Sequence, residues 1–319
     1  MVRFDLVRTA YSYSAGHEQR PETKHNGDRH VEANQSSVTL ASFRPPIWRL
    51  RRALARIEVP SGPPSLPFRR RVRLLALLPI RNHVQFLPGF IANVAPQVDG
   101  IIALDDGSTD GTAELLESRS EILEVIRNPC DRPAWNEVGN HRKLLAAAIQ
   151  HGAEWLLSID ADERLERDFR RRCERVIRRG RLFGYTAYGV RLRELWDAPD
   201  QYRVDGIWGQ KTVPRLYEMR PDHELDGRAL HGSKAPLQAR IGGRYPIVDL
   251  NIYHLGMLTP ELREARRQRY ERLDPTARWQ RKIGYAYLTD LSGLMLRKIA
   301  ERRGYASAVT EIGELEKPR

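Results

Sequence analysis

Two short stretches set carboxylates directly after apolar runs: LDDGSTDGT at 104–112 and LLSIDADE at 156–163. Aspartates crowded at the end of a hydrophobic strand repel one another and resist desolvation, so they call for a compensating cation or a set of donors. A metal ion, basic side chains and water at a surface turn would each serve. Neither stretch is specific alone. Asp-x-Asp recurs in turns and helix caps, and DDGSTDG could be a turn followed by an N-cap at Thr109 or Asp110. Their specificity comes from occurring together.

The elements that must position them alternate regularly. VRLLALLPI, IIALDD, ILEVI and EWLLSID read as four strands. TAELLES, after Thr109 and Asp110, and the segment 138–152, closed by Gly152, read as helices. This alternation predicts an α/β, Rossmann-like fold with a mostly parallel sheet flanked by helices. Such sheets bind ligands beyond the carboxyl ends of their strands. The second strand ends in LDDGSTDGT and the fourth in IDADE, so both acidic clusters fall at one sheet edge and converge on one cleft. No G-x-G-x-x-G and no G-x-x-x-x-G-K-[ST] follows any strand, so no glycine-rich cradle holds phosphate. Carboxylates bind a phosphate only through a bridging cation. The expectation is a nucleotide diphosphate held through Mg2+ or Mn2+, with hard oxygen ligands and some coordination left to the substrate.

The remaining composition narrows the function classes. A chain of 319 residues with 41% hydrophobic content is long enough for a sizeable core. Its longest apolar stretch, LLALLPI, is strand-sized, and the N-terminus lacks the apolar core of a secretory signal. Only Cys130 and Cys173 are present, in no metal-like spacing. The expected location is cytoplasmic, without a disulfide framework, and the NQS sequon at Asn34 reads as chance. The net charge of +12 sits mainly at one end: residues 1–73 hold 14 Lys and Arg against 6 Asp and Glu, or +8, leaving +4 for the rest. A nearly balanced body argues against a nucleic-acid partner.

Residues 1–45 are polar without apolar periodicity, and disorder is expected there. In IWRLRRALARI, Ile47, Leu50, Leu54 and Ile57 recur at helical spacing while the arginines mostly take other faces. This basic amphipathic helix would either pack on the domain or contact an anionic membrane peripherally. A Pro-rich linker follows over 59–71. The chain thus divides into a basic N-terminal region at 1–70, a nucleotide-binding half at 71–165, an acceptor half at 166–258 and a helical extension at 259–319.

From Arg71 to about Met257 these residues resemble family 2 glycosyltransferases, with the type-A nucleotide-diphospho-sugar transferase fold. LLPIRN resembles the family's opening strand with its Pro-x-x-Asn ending, LDDGSTDGT its signature, and LLSIDADE its Asp-x-Asp motif. HRKLLAAAIQHGAEW is similar to the segment that usually reads Arg-Asn-x-Gly, but Lys143 stands where Asn is usual, so only Arg142 carries over. The resemblance implies that Pro79, Asn82, Asp105 and Asp106 line the base and ribose pocket and that Arg142 helps neutralise it. It also implies that Asp160 approaches the ribose or sugar and that Asp162 ligates the metal. Glu163 fits a DADE variant of the motif, or is an exposed turn residue.

Downstream, the segments 206–232 and 247–257 resemble an acceptor half in which a Tyr-His stretch returns to the metal. His254, ending the apolar run LNIYH, is the candidate second ligand, a neutral imidazole beside Asp162; a packed structural histidine is its alternative. His223 reads as a packed or surface histidine. His231 precedes Gly232 where many relatives carry Glu, which leaves the general base open. Asp226 is the first choice and Asp205 stands behind it. The charged helix after Thr259 would cover the site, contribute arginines to the diphosphate, or pack on the back of the domain, the last being the simplest reading. The implied activity is metal-dependent, inverting transfer of a sugar from a nucleotide-diphospho-sugar donor to a hydroxyl on a lipid-linked sugar, polysaccharide or protein. A sugar-phosphate nucleotidyltransferase and a non-catalytic nucleotide-sugar-binding or membrane-docking module are the rivals.

Overall fold

The computed structural model describes residues 71–131, 136–227 and 232–305. The expectations for 1–70, including the helix at 47–57 and its membrane contact, lie outside the described residues, as does His231.

The anticipated alternation is realised by β1 (Leu74–Ile80), α1 (Leu87–Val94), β2 (Ile101–Asp105), α2 (Thr112–Glu117), β3 (Ile122–Arg127), α3 (Glu137–Gln150) and β4 (Trp155–Ser158). β1 pairs in parallel with β2 and with β4, and β2 pairs in parallel with β3. β1, β2 and β4 are covered on both faces, which is why they read as unbroken apolar runs instead of alternating ones. Alternate residues separate two cores. Leu74, Ala76, Leu78 and Ile80 pack in one cluster with Phe90 of α1, while Leu75, Leu77, Ile102 and Leu104 pack in another with Leu144 and Ala148 of α3. The start of α3 is fixed by Asn136, whose Oδ1 accepts from the Gly139 amide at 2.8 Å.

The chain continues through β5 (Glu163–Leu165), α4 (Phe169–Arg181), β6 (Ala187–Glu194), β7 (Gln201–Arg203), β8 (Thr212–Glu218), β9 (Ile247–His254), α5 (Pro260–Leu273) and β10 (Leu296–Lys298). The eight-stranded sheet has the order β3-β2-β1-β4-β8-β6-β9-β5, and β10 pairs antiparallel with β7 in a separate two-stranded sheet. The main sheet is mostly parallel. It turns mixed at β4, where β8 enters antiparallel and β6 pairs antiparallel with β8, since no helix separates β6 from β8 to make a crossover. β9 lies parallel to β6 and antiparallel to β5, and this register sets Glu194, His254 and Glu163 side by side. The C-terminal extension is helical only in α5, whose N-cap Thr259 accepts from the Leu262 amide at 3.3 Å; short 3-10 turns and β10 follow. Among the described residues no helix is long and apolar enough to cross a membrane.

Candidate active site

Both acidic clusters lie at the carboxyl edge of the parallel strands. Asp105 ends β2 opposite Ile80 of β1, and Ile159, just after β4, donates its amide to Leu77 of β1 at 3.0 Å. The turn at 105–112 is held in shape by its own acids. Asp105 Oδ2 accepts from the Ser108 amide at 3.1 Å. Asp110 accepts from the amides of Thr112 at 3.0 Å and Val84 at 3.1 Å. Gly107 has φ +78, and a Cβ there would lie 2.7 Å from the Pro129 carbonyl oxygen, so the DDG step requires glycine. Asn82, itself at φ 54, accepts from the Thr109 amide at 2.8 Å, and its amide donates to Ser108 Oγ at 2.9 Å. Asn82 therefore ties the end of β1 to this turn. Pro79 sits half-buried opposite Leu104.

Asp106 is buried and accepts from Asn128 Nδ2 at 2.5 Å, and Asn128 Oδ1 in turn accepts from Lys143 Nζ at 2.6 Å. The cation turned toward this pocket is therefore Lys143. Arg142, the residue carried over by resemblance, is exposed one position earlier on α3.

The second cluster is more heavily compensated. Asp160 accepts from Arg215 Nη2 at 2.7 Å and from Lys234 Nζ at 2.5 Å. Burial works to raise its pKa, yet these two cations hold it below the usual carboxylate range. Glu163 is buried in β5 and is no exposed turn residue. It accepts from the same Arg215 Nη2 at 2.6 Å and from the Asp160 amide at 3.0 Å. Burial pushes its carboxyl up against the pull of Arg215.

His254 ends β9, buried, with one carboxylate on each side. Its Nδ1 donates to Glu194, which also accepts from Lys211 Nζ, and its Nε2 lies 3.0 Å from Asp162 Oδ2. Burial favours the neutral ring, but Glu194 and Asp162 outweigh it and raise the pKa to about 10. Burial likewise opposes ionisation of Asp162, and His254 overcomes it to hold that carboxyl well below its ordinary value. Arg266, from α5, brings Nη1 to 2.9 Å from the same Nε2 and 3.8 Å from Asp162 Oδ2. One nitrogen cannot donate to Asp162 and accept from Arg266 in the same protonation state. The backbone leaves this point open: a Cβ on Gly256 would lie 2.5 Å from Asp162 Oδ2 and 2.9 Å from both His254 Nε2 and Arg266 Nη1. The helix after Thr259 thus delivers an arginine to the site and does not merely pack behind the domain.

Among the described residues no group of three or more His, Cys, Asp or Glu side chains is arranged to hold a metal. Asp162 offers an oxygen donor, and His254 a nitrogen donor once a cation displaces the proton that its two carboxylates favour, a set suited to an ion whose remaining coordination comes from substrate and water. The Glu194 contact to Nδ1 is the kind that orients a ligating imidazole. Donor pair, supporting carboxylate and open glycine together fit a divalent cation.

The two base candidates separate. Asp205 is gripped by the Arg203 guanidinium at 2.8, 2.9 and 3.1 Å and accepts from the Met295 amide at 3.0 Å, and the Arg203 bonds hold its pKa down. It fastens the segment before β10 to the end of β7, with both carboxylate oxygens occupied. Asp226 lines a small cavity with Glu137, His141, Ser233 and Lys234, and Lys234 links that cavity to Asp160. Burial raises the Glu137 carboxyl in the same cavity. His223 packs locally, its Nε2 within 3.1 Å of both the Arg220 amide and the Glu218 carbonyl.

Behind the cavity, Ser158 Oγ lies 2.7 Å from Tyr217 Oη, which lies 3.1 Å from His141 Nε2. Burial, with Lys234 nearby, lowers the His141 pKa to about 3 from 6.5. Between those values the unfolded chain binds the proton that the folded ring refuses. His141 therefore contributes stability above pH 6.5 that is lost as pH falls toward about 3. Urea unfolding of the wild type and His141→Gln at pH 7 and about pH 4.5 should show the difference between them shrinking on acidification; an unchanged difference would contradict a neutral buried ring.

Sequence reasoning did not reach Glu194, Arg215, Lys234, Glu137 or Arg266. Lys143 was visible only as a departure from an expected Asn. Glu194 carried one usable signal, as the acid closing the strand-like run AYGVRLRE.

Residues 76–229 match the family model described as glycosyl transferase family 2. Two uncharacterized proteins, from Mycobacterium bovis and Mycobacterium tuberculosis, are each 27% identical over 221 residues, covering 67% of this chain and 54% of theirs. The chain thus spans about half the length of these curated relatives. Among solved structures, S. aureus TarS 1–349 is 12% identical at a TM-score of 0.40, with 68% of each chain covered. The mannosyltransferase PcManGT from Pyrobaculum calidifontis, solved with GDP-Man and Mn2+, is 14% identical at a TM-score of 0.40, covering 71% of this chain and 68% of its own.

Proposed function

Residues 76–229 match the glycosyl transferase family 2 model, and from that match we propose that this chain transfers a sugar, with inversion, from a nucleotide-diphospho-sugar to an acceptor hydroxyl. The observation that carries the reading is the convergence of Asp106, Asp160, Asp162 and His254 on one sheet edge from β2, β4 and β9. The Asp106, Asn128 and Lys143 chain would bind the base and ribose, with Asp105 and Asn82 shaping the turn. Asp160, held by Arg215 and Lys234, would face the sugar. Asp162 and His254 would hold a divalent cation, Mn2+ or Mg2+, which when bound supplies charge stabilisation to the departing diphosphate. Arg266 is placed to add a second positive charge to that leaving group. The acceptor oxygen attacks the anomeric carbon as the bond to the phosphate oxygen breaks, and Asp226 takes the hydroxyl proton.

Two substitutions separate binding from chemistry. Asp106→Ala should weaken calorimetric binding of the free nucleotide diphosphate as well as of the donor. Asp226→Asn should leave that binding intact and lower kcat by roughly 10²- to 10⁴-fold. Unchanged nucleotide affinity in the first, or unchanged kcat in the second, would refute the respective role.

The metal assignment predicts that His254→Ala raises the Mn2+ concentration for half-maximal donor hydrolysis by about tenfold or more, while His223→Ala leaves it unchanged. A merely structural His254 would lower thermal stability and leave the metal dependence of the folded fraction as in wild type. Nucleotide binding without any transfer or donor hydrolysis would instead identify a non-catalytic module.

A further inference from the structure

The exposed side and last turn of α4 carry a surface that the proposed chemistry does not use. Arg171, Arg175, Arg178, Arg179 and Arg181 are all exposed. Three of them have acidic neighbours: Asp168 at 2.8 Å from Arg171, Glu174 at 3.7 Å from Arg178 and Glu154 at 3.9 Å from Arg181. Among the described residues Arg175 and Arg179 have no ion pair. Directly after these arginines come Leu182 and Phe183, 82% and 67% exposed. Their exposure is not that of a frayed end. The Leu182 amide donates to Arg179 at 3.2 Å, the Phe183 amide to Gly180 at 2.9 Å and the Tyr185 amide to Gly180 at 3.0 Å, so a hydrogen-bonded turn presents both side chains outward.

We infer that this end of α4 docks the protein on an anionic membrane surface, with Leu182 and Phe183 entering the interface and the arginines meeting lipid headgroups. A soluble polyanion would satisfy the arginines and leave two large apolar side chains in water. An apolar protein groove would do the reverse and desolvate the charges. An anionic bilayer interface accepts both within a few ångströms of depth. The turn leads into the start of β6, whereas Glu194 closes its other end, so docking here leaves the cleft at Asp162 and His254 facing away from the lipid.

The test is co-sedimentation of the full chain with phosphatidylcholine vesicles, with and without phosphatidylglycerol. Binding should require phosphatidylglycerol and weaken with salt. Arg178→Glu with Arg179→Glu should weaken it by at least tenfold, at about fivefold per lost cation, and Leu182→Ser with Phe183→Ser should weaken it comparably. All four side chains are exposed, so thermal melting should not change. Absence of vesicle binding in the wild type would overturn the inference. So would full binding by both variants, which would move the contact to 47–57. Loss in the charge variant alone marks a generic polyanion surface, and loss in the apolar variant alone marks an apolar partner; either outcome also overturns it.

Discussion

Asp162→Asn protein should fold normally and lose metal-dependent turnover. The amide is the same size as the carboxyl and keeps an oxygen toward His254 Nε2, now 3.0 Å away, so packing around Gly256 is undisturbed. It removes the negative charge that would hold the cation against the diphosphate. Several kcal/mol of charge stabilisation depend on such an ion, roughly a thousandfold or more in rate. Calorimetry should show Mn2+ no longer strengthening donor binding, while circular dichroism shows a folded protein whose melting temperature falls, because the substitution also breaks the buried charge pair with His254. Turnover with undiminished Mn2+ dependence in this variant would remove the metal from the mechanism.

The second large effect concerns stability. Arg215 is buried, and one guanidinium nitrogen serves both Asp160 and Glu163. Arg215→Met keeps most of the apolar stem but leaves Glu163 without its cation and Asp160 with Lys234 only. Removing one partner of a buried charged group typically costs about 3–5 kcal/mol, and a loss of that order is expected in urea unfolding at neutral pH. Because the destabilisation comes from stranded negative charge, adding Glu163→Gln should restore part of it. A loss below about 1 kcal/mol would mean that the network is solvated and the site more open than described.

The first half of the fold was legible because its strands are buried on both faces and separated by helices with readable ends, such as Gly152 after α3. The acids were legible for the same reason: they follow apolar runs. The second half was harder to read. β5 has three residues, α4 has arginines on most of its faces, and β6, β8 and β9 pair in an order unrelated to the sequence. The compensating charges on Asp160 could not be read at all. Arg215 and Lys234 meet Asp160 across 55 and 74 residues of sequence, and Arg266 comes from a helix for which supplying arginines was one of three readings. Spacing reports the neighbours of a residue on its own element and says nothing of cations from elsewhere. Asp205 shows the converse: beside Gly206 it looked free, but Arg203, two positions away, occupies it.

The pairing of β9 between β6 and β5 has a kinetic consequence. The pairings of β1 with β2 and of β2 with β3 close short loops, so the turn at 105–112 can form early. Asp162 and His254 are 92 residues apart and meet only when β9 inserts, a closure that folding reaches slowly. A chain emerging from the ribosome will therefore acquire nucleotide affinity before it has a place for the cation. During refolding, recovery of Mn2+-dependent turnover should lag behind recovery of nucleotide binding, making catalysis a late reporter of the native state.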